Sequence, residues 1–199
     1  MAITLRLLFA SIFLLTLLEI AKSEEVTSSE YALFENLLRQ TVGNEKVEKI
    51  VSIEKKSVTK RKSNSSHLSR FIVIYTASND DGNTGAVNKT MKFIVKNEPK
   101  LEEMADPSQA ESVRNMNLFD VEATILRDIV PWLEEAVGRS IGPKFYYYSE
   151  SEKILVMEDL GFSNFINRNF EGGMSGDDVI LVLELLAQFH AGSVLLHER

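Results

Sequence analysis

Two ionisable side chains in this sequence stand where an anion could be gripped. Lys96 ends the run Lys92-Phe93-Ile94-Val95-Lys96, and Glu122 closes Phe119-Asp120-Val121-Glu122. In an extended strand alternate side chains share a face, so Phe93 and Val95 point one way and Lys92, Ile94 and Lys96 the other. The later stretch predicts a helix with Phe119, Glu122, Ile125 and Ile129 on one stripe, which leaves a single carboxylate among apolar neighbours. A carboxylate buried in that way needs a cation, and Lys96 is the candidate. A strand lysine fixed by a helix glutamate aims an ammonium at phosphate oxygens. The two groups are therefore expected within salt-bridge distance. The competing reading is a lysine that is merely solvated at a strand end.

The elements that must position this pair follow from periodicity and turn residues. Residues 30–42 predict a helix carrying Leu33, Leu37 and Leu38 on one face and stopped by Gly43 and Asn44. Residues 47–53 and 69–76 read as strands, the second with Phe71, Val73 and Tyr75 alternating with Ile72 and Ile74. A loop at residues 79–83 leads to the lysine strand. Residues 100–117 form a polar connection with a helical turn after Pro107. Pro131 is expected to kink or divide the Glu122 helix before Trp132, Leu133 and Val137 continue its apolar face. An aromatic strand, Phe145-Tyr146-Tyr147-Tyr148, a polar turn at residues 149–153 and the strand Ile154-Leu155-Val156-Met157 then run into Glu158-Asp159-Leu160. After Gly172 and Gly173, Ser175 and Asp178 make a capping-box-like start to a long helix. Val179, Val182, Leu183, Leu186, Phe189, His190 and Ser193 are expected to form its broad buried face, with His190 a packed, hydrogen-bonded core histidine. The fold class is α+β, an antiparallel sheet with helices.

In order, Phe93-Ile94-Val95-Lys96 followed by Pro99, then Phe119-Asp120-Val121-Glu122, Met157-Glu158-Asp159-Leu160 and Leu186-Ala187-Gln188-Phe189-His190-Ala191-Gly192-Ser193 form a set that resembles the ecdysteroid kinase-like (CHK kinase-like) family. These are small-molecule kinases of the choline and aminoglycoside kinase type, and the likeness covers about residues 45–194. The resemblance implies a protein-kinase-like amino-terminal lobe followed by the first helix or helices of a truncated carboxy-terminal lobe. It implies ATP with magnesium as cofactor and a small-molecule alcohol as phosphoryl acceptor. Lys96 and Glu122 are the implied nucleotide-binding residues, together with a hinge at Met157 and Glu158 whose backbone would hold adenine. The resembled kinases carry a glycine-containing loop over the nucleotide, and residues 57–69 contain no glycine. Backbone amides approach phosphate most easily where no side chain intervenes. The family's His-Gly-Asp catalytic loop and its metal-binding Asp-Phe segment also have no counterpart. The expectation is an inactive or incomplete chain with no catalytic and no metal-binding residue of its own. The alternatives are a secreted, non-catalytic kinase-like binding protein, and a structural domain in which Lys96 and Glu122 form an ordinary ion pair.

Composition narrows the partners. The 199 residues carry a net charge of −7 and 44% hydrophobic residues, enough for one globular core and too acidic for a nucleic-acid binder. A basic cluster at Lys55, Lys56, Lys60, Arg61 and Lys62 reads as a solvated hairpin. With no cysteine and only three histidines, neither a disulfide framework nor a zinc site is expected. Trp132 and the tyrosine run read as core rather than as a base-stacking platform, because no basic residues interleave with them. Glu158 and Asp159, adjacent on a strand, face opposite ways and do not make a glycosidase or protease pair. Residues 1–23 read as a signal peptide, with Arg6 ahead of a leucine-rich run and small residues near a cut; the run is too short for a permanent membrane span. Sequons at Asn64 and Asn88 agree with a secretory or extracellular location, the alternative being cytoplasmic. The expected divisions are 1–23 signal peptide, 24–44 amino-terminal helix, 45–160 kinase-like lobe and 161–199 the incomplete following lobe. A protein partner is expected to cover the last helix.

Overall fold

The computed structural model describes residues 24–43, 46–58, 66–78, 85–98, 117–162 and 173–197. The segment 1–23, Asn64, the basic residues 60–62, the loop at 79–83, Pro99, Pro107 and Gly172 lie outside the described residues. Helix α1 (Ser28–Val42) precedes β1 (Val47–Ser57), β2 (His67–Ala77) and β3 (Val87–Asn97). Helix α2 (Leu118–Thr124), a π-helical turn (Ile125–Ile129) and α3 (Val130–Val137) come next, followed by β4 (Phe145–Ser149), β5 (Ile154–Glu158), a 3-10 turn (Leu160–Phe162) and α4 (Gly176–His197). The five strands form one antiparallel sheet in the order β1-β2-β3-β5-β4. By internal contacts the chain divides into two compact units, residues 1–60 with 68–91 and residues 61–67 with 92–199.

In the first unit, α1 begins with a reciprocal cap. The Thr27 hydroxyl accepts from the Glu30 amide at 3.2 Å and the Glu30 carboxylate accepts from the Thr27 amide at 2.9 Å, so two orphan donors of the first turn are satisfied. Gly43 ends the helix at φ +111°, and its amide donates to Arg39. Phe34, Leu37 and Leu38 are the buried positions, Phe34 taking the place foreseen for Leu33, which is only half-buried. The Phe34 ring lies 4.7 Å from that of Phe71 on β2. In β2, Ser69, Phe71, Val73, Tyr75 and Ala77 are buried and the residues between them are not, as the two-residue period requires. β1 buries Val47 and Ile50 instead, three residues apart, because its register on β2 shifts twice, between Val47 and Lys49 and between Ile50 and Ser52. The Lys55 ammonium pairs with Glu30 at 3.0 Å and Glu24 at 3.5 Å, and Lys56 pairs with Glu54 at 2.7 Å. The described part of the basic cluster is thus neutralised locally.

The second unit is built around Phe119, Ala123, Leu126, Val130 and Leu155, flanked by Ile141, Phe145, Tyr148 and Met157. This line corrects the expected stripe. Ile125 is exposed and Glu122 sits at the rim, because the buried row runs through Ala123 and Leu126 and then passes a π-helical turn that admits one extra residue. In that turn the Val130 amide donates five residues back to Ile125. Pro131 follows directly, with no amide to offer the Arg127 carbonyl. The wider turn absorbs the missing bond, and the helix divides at this change of winding just ahead of Pro131, where a kink or division was expected. Beyond α3 the Glu134 carboxylate gathers the loop, accepting from Ile141 N at 2.9 Å, Gly142 N at 3.3 Å and Ser140 Oγ at 2.8 Å.

The last helix departs most from expectation. Ser175 caps it as foreseen, accepting from the Asp178 amide at 3.2 Å. Val179, Val182, Leu183, Leu186 and Phe189 are nevertheless exposed, as are His190 and Ser193. The expected buried face is not covered among the described residues, and His190 is no core histidine. Within this unit α4 packs on α3, where Gly192 meets Leu133. Gly176–Leu196 is also long and apolar enough to cross a membrane by length and composition, with a mean hydropathy of 1.9.

Candidate functional site

The site forms where β3 ends beside α2. Phe93 and Val95 are buried, which turns Lys96 to the opposite face of the strand, toward the helix. There the Lys96 ammonium donates to Glu122 Oε2 in a direct ion pair, with the Phe119 ring centroid 5.3 Å from Nζ. The side chains are 19% and 35% exposed. The pair is therefore shielded but reachable, as an ammonium that meets a ligand must be. The separation of 26 positions in sequence is closed by the fold alone.

A cavity of about 520 Å³ opens on this pair, lined by Lys96, Glu98, Phe119, Glu122, Leu126 and Met157 among others. Its walls are largely apolar, and its charged groups are Lys96, Glu122 and Glu98. The volume lies in the range of small-molecule sites. Met157 reaches it from β5, opposite Ile94 in the ladder.

Glu158 belongs to the strand end more than to the cavity. Its amide donates to the Lys144 carbonyl at 2.9 Å and its carboxylate accepts from the Lys144 amide at 3.1 Å. That amide is used inside the protein and is not left for a ligand. Asp159 is buried and does not point to water as a strand-end cap would. It accepts from the Gly161 amide at 3.1 Å and so shapes the turn that follows. Asn88 is exposed at the start of β3, a position open to glycan attachment.

A second polar cluster lies on the same helix. The Asp120 carboxylate accepts from Lys153 Nζ at 2.8 Å on both oxygens and from the Tyr148 hydroxyl. Lys153, whose hydrogen bond comes first in effect, and then Tyr148 hold the Asp120 carboxyl below its ordinary value. Sequence periodicity gave no hint of this cluster, since Tyr148 and Lys153 stand 28 and 33 positions from Asp120.

An antiparallel five-stranded sheet whose third strand presents a lysine to a glutamate on the following helix is the plan of a kinase-like amino-terminal lobe. Residues 63–199 match the model of the ecdysteroid kinase-like family, more than half of the chain, and the protein belongs to that family. No curated protein and no solved structure matches it.

Proposed function

We propose that this chain binds a nucleoside triphosphate through the Lys96–Glu122 pair and serves phosphoryl transfer to a small-molecule alcohol. The observation that carries the reading is the pair itself, held at the edge of an apolar cavity within a kinase-like lobe. Glu122 fixes the ammonium, the ammonium offsets phosphate charge, and the apolar walls with Met157 suit a flat base. These residues fit the nucleotide. They do not fit the magnesium ion, because no cluster of metal-holding side chains occurs among the described residues. No step is assigned to the metal, and the 199 residues contain no His-Gly-Asp segment to accept the hydroxyl proton. Nucleotide binding is the part of that function assigned to these residues.

The test is titration of the full chain with a fluorescent trinitrophenyl derivative of ATP, with unlabelled ATP as competitor. Saturable, competed binding that Lys96→Met weakens about tenfold or more is the expected result. Binding unchanged by Lys96→Met would overturn the reading. A second reading, a non-catalytic binding protein of the secretory pathway, is favoured by the absence of glycine from residues 57–69, since glycine is the residue at which a backbone approaches phosphate most easily. It predicts no competed nucleotide binding, loss of residues 1–23 on amino-terminal sequencing of protein from secretory cells, and glycan at Asn88 or Asn64. An exposed, apolar α4 is the surface on which a protein partner would act in that case.

A further inference from the structure

We infer that Lys153 is a positioning residue that sets the meeting of Lys96 with Glu122 by holding both of their supporting elements at once. The inference rests on the nucleotide-site reading for its function and on independent geometry for its existence. The Lys153 carbonyl accepts from the Glu98 amide at 3.2 Å, just past the end of β3 and two residues beyond Lys96. The Lys153 ammonium meets both oxygens of Asp120 at 2.8 Å, two residues before Glu122 in the first turn of α2. One residue therefore ties the strand end that carries the lysine to the helix start that carries the glutamate.

Two features show that this contact is built and not incidental. Lys153 adopts φ +50°, the left-handed region that a side chain with a Cβ disfavours and that glycine would occupy freely. The ammonium's two bonds to Asp120 offset the strain of a side chain at such a position. The second feature is Tyr148, whose hydroxyl donates to the same Asp120 carboxylate and lies 3.4 Å from Lys153 Nζ, closing a three-membered network that is only partly exposed. Asp120 and Glu122 lie about 200° apart around α2, so the clamp grips one side of the helix while the opposite side faces Lys96.

The experiment reads Lys96 directly. Full-chain protein is acetylated with sulfo-NHS acetate and each lysine is followed by mass spectrometry, with exposed Lys49 on β1 as an internal control. Lys153→Met and Asp120→Asn are expected to raise Lys96 labelling about threefold relative to Lys49, as the ammonium spends more time away from its carboxylate. The double variant should be no worse than either single one. Lys153→Arg should restore protection. Weaker binding of trinitrophenyl-ATP, by about tenfold, should accompany the loss of protection. A general loosening would instead raise all lysines together. If the single variants do not fold, the charge exchange Asp120→Lys with Lys153→Glu decides, expected to fold with Lys96 protected. Unchanged Lys96 labelling in folded Lys153→Met, or a charge-exchange variant that stays unfolded or leaves Lys96 labelled, overturns the inference. Should the wild type bind no nucleotide, the proposed function fails while the labelling still decides the clamp.

Discussion

At the scale of single residues, the backbone of Lys153 and the charge of Asp120 make separable predictions. Holding a residue with a Cβ at φ +50° costs about 1–2 kcal/mol, while placing glycine there costs somewhat less in unfolded-chain entropy. Lys153→Gly and Lys153→Met both lose the ammonium, but only the glycine variant also loses the strain. Urea unfolding should therefore rank wild type above Lys153→Gly and Lys153→Gly above Lys153→Met, the last two differing by about 0.5 kcal/mol. The reverse order of the two variants would mean that the turn carries no strain. The charge of Asp120 is read from acid titration. Its carboxyl is held below the ordinary 3.8 by the Lys153 hydrogen bond first and the Tyr148 hydroxyl second. A folded-state value lower than the unfolded one adds stability that is fully present above 3.8 and is lost as pH falls through the lowered value. Wild type should thus exceed Asp120→Asn by about 1 kcal/mol at neutral pH, a modest figure because both partners are about a quarter exposed. The gap should close on acidification below that range; a gap constant from pH 7 to pH 2 would place the Asp120→Asn effect elsewhere.

At the scale of elements, what the sequence announced and what it hid have physical reasons. The strand with Phe93, Val95 and Lys96 was legible because a two-residue period needs no tertiary information, and the same holds for β2. The partnership of Lys96 with Glu122 was legible because the glutamate's helix follows that strand in the order of a family pattern. The buried row of that helix was not, because counting at 3.6 residues per turn cannot foresee the extra residue admitted at Ile125–Ile129. The Asp120–Tyr148–Lys153 cluster was hidden because no local period links a helix start to a hairpin turn. Gly192 was visible only as part of a motif, and its reason is steric. A Cβ there would stand 2.7 Å from Leu133 Cδ2, and Leu133 is fully buried. Alanine in a helix is favoured over glycine by about 1 kcal/mol, whereas overpacking a filled contact costs about 1–3 kcal/mol. Gly192→Ala is therefore expected to lower the thermal midpoint despite its better helix propensity. Leu133→Ala combined with Gly192→Ala should recover part of the loss that Leu133→Ala alone produces, which a double-mutant cycle measures. Simple additivity of the two changes would show that the α3–α4 contact is not filled.

At the scale of the whole molecule, the balance of surfaces is decided by α4. The exposed side chains include Ile180, Leu181, Val182, Leu183, Leu186, Val194 and Leu195, with Leu181 65% exposed. Apolar residues surround the helix on more than one side, so turning it on its axis cannot hide them all from water. At about 25 cal/mol per Å² a few hundred Å² of such surface amounts to several kcal/mol of unrealised burial, comparable with the stability of a small domain. A contiguous patch of that size drives association or binds apolar dyes. The 199-residue chain is therefore expected to self-associate in a concentration-dependent way and to enhance the fluorescence of anilinonaphthalene sulfonate. Leu183→Glu with Leu186→Glu alters only exposed positions, and it should cut the dye signal at least about twofold and shift the sedimentation profile toward monomer. Because both proteins keep residues 1–23, any contribution of that segment is common to the two measurements. The double variant should also leave the protection of Lys96 unchanged, since that pair depends on β3, α2 and the Lys153 turn. A dye signal unaffected by the substitutions would mean that the α4 face is already covered in solution, and equal association of the two proteins would place the contact elsewhere.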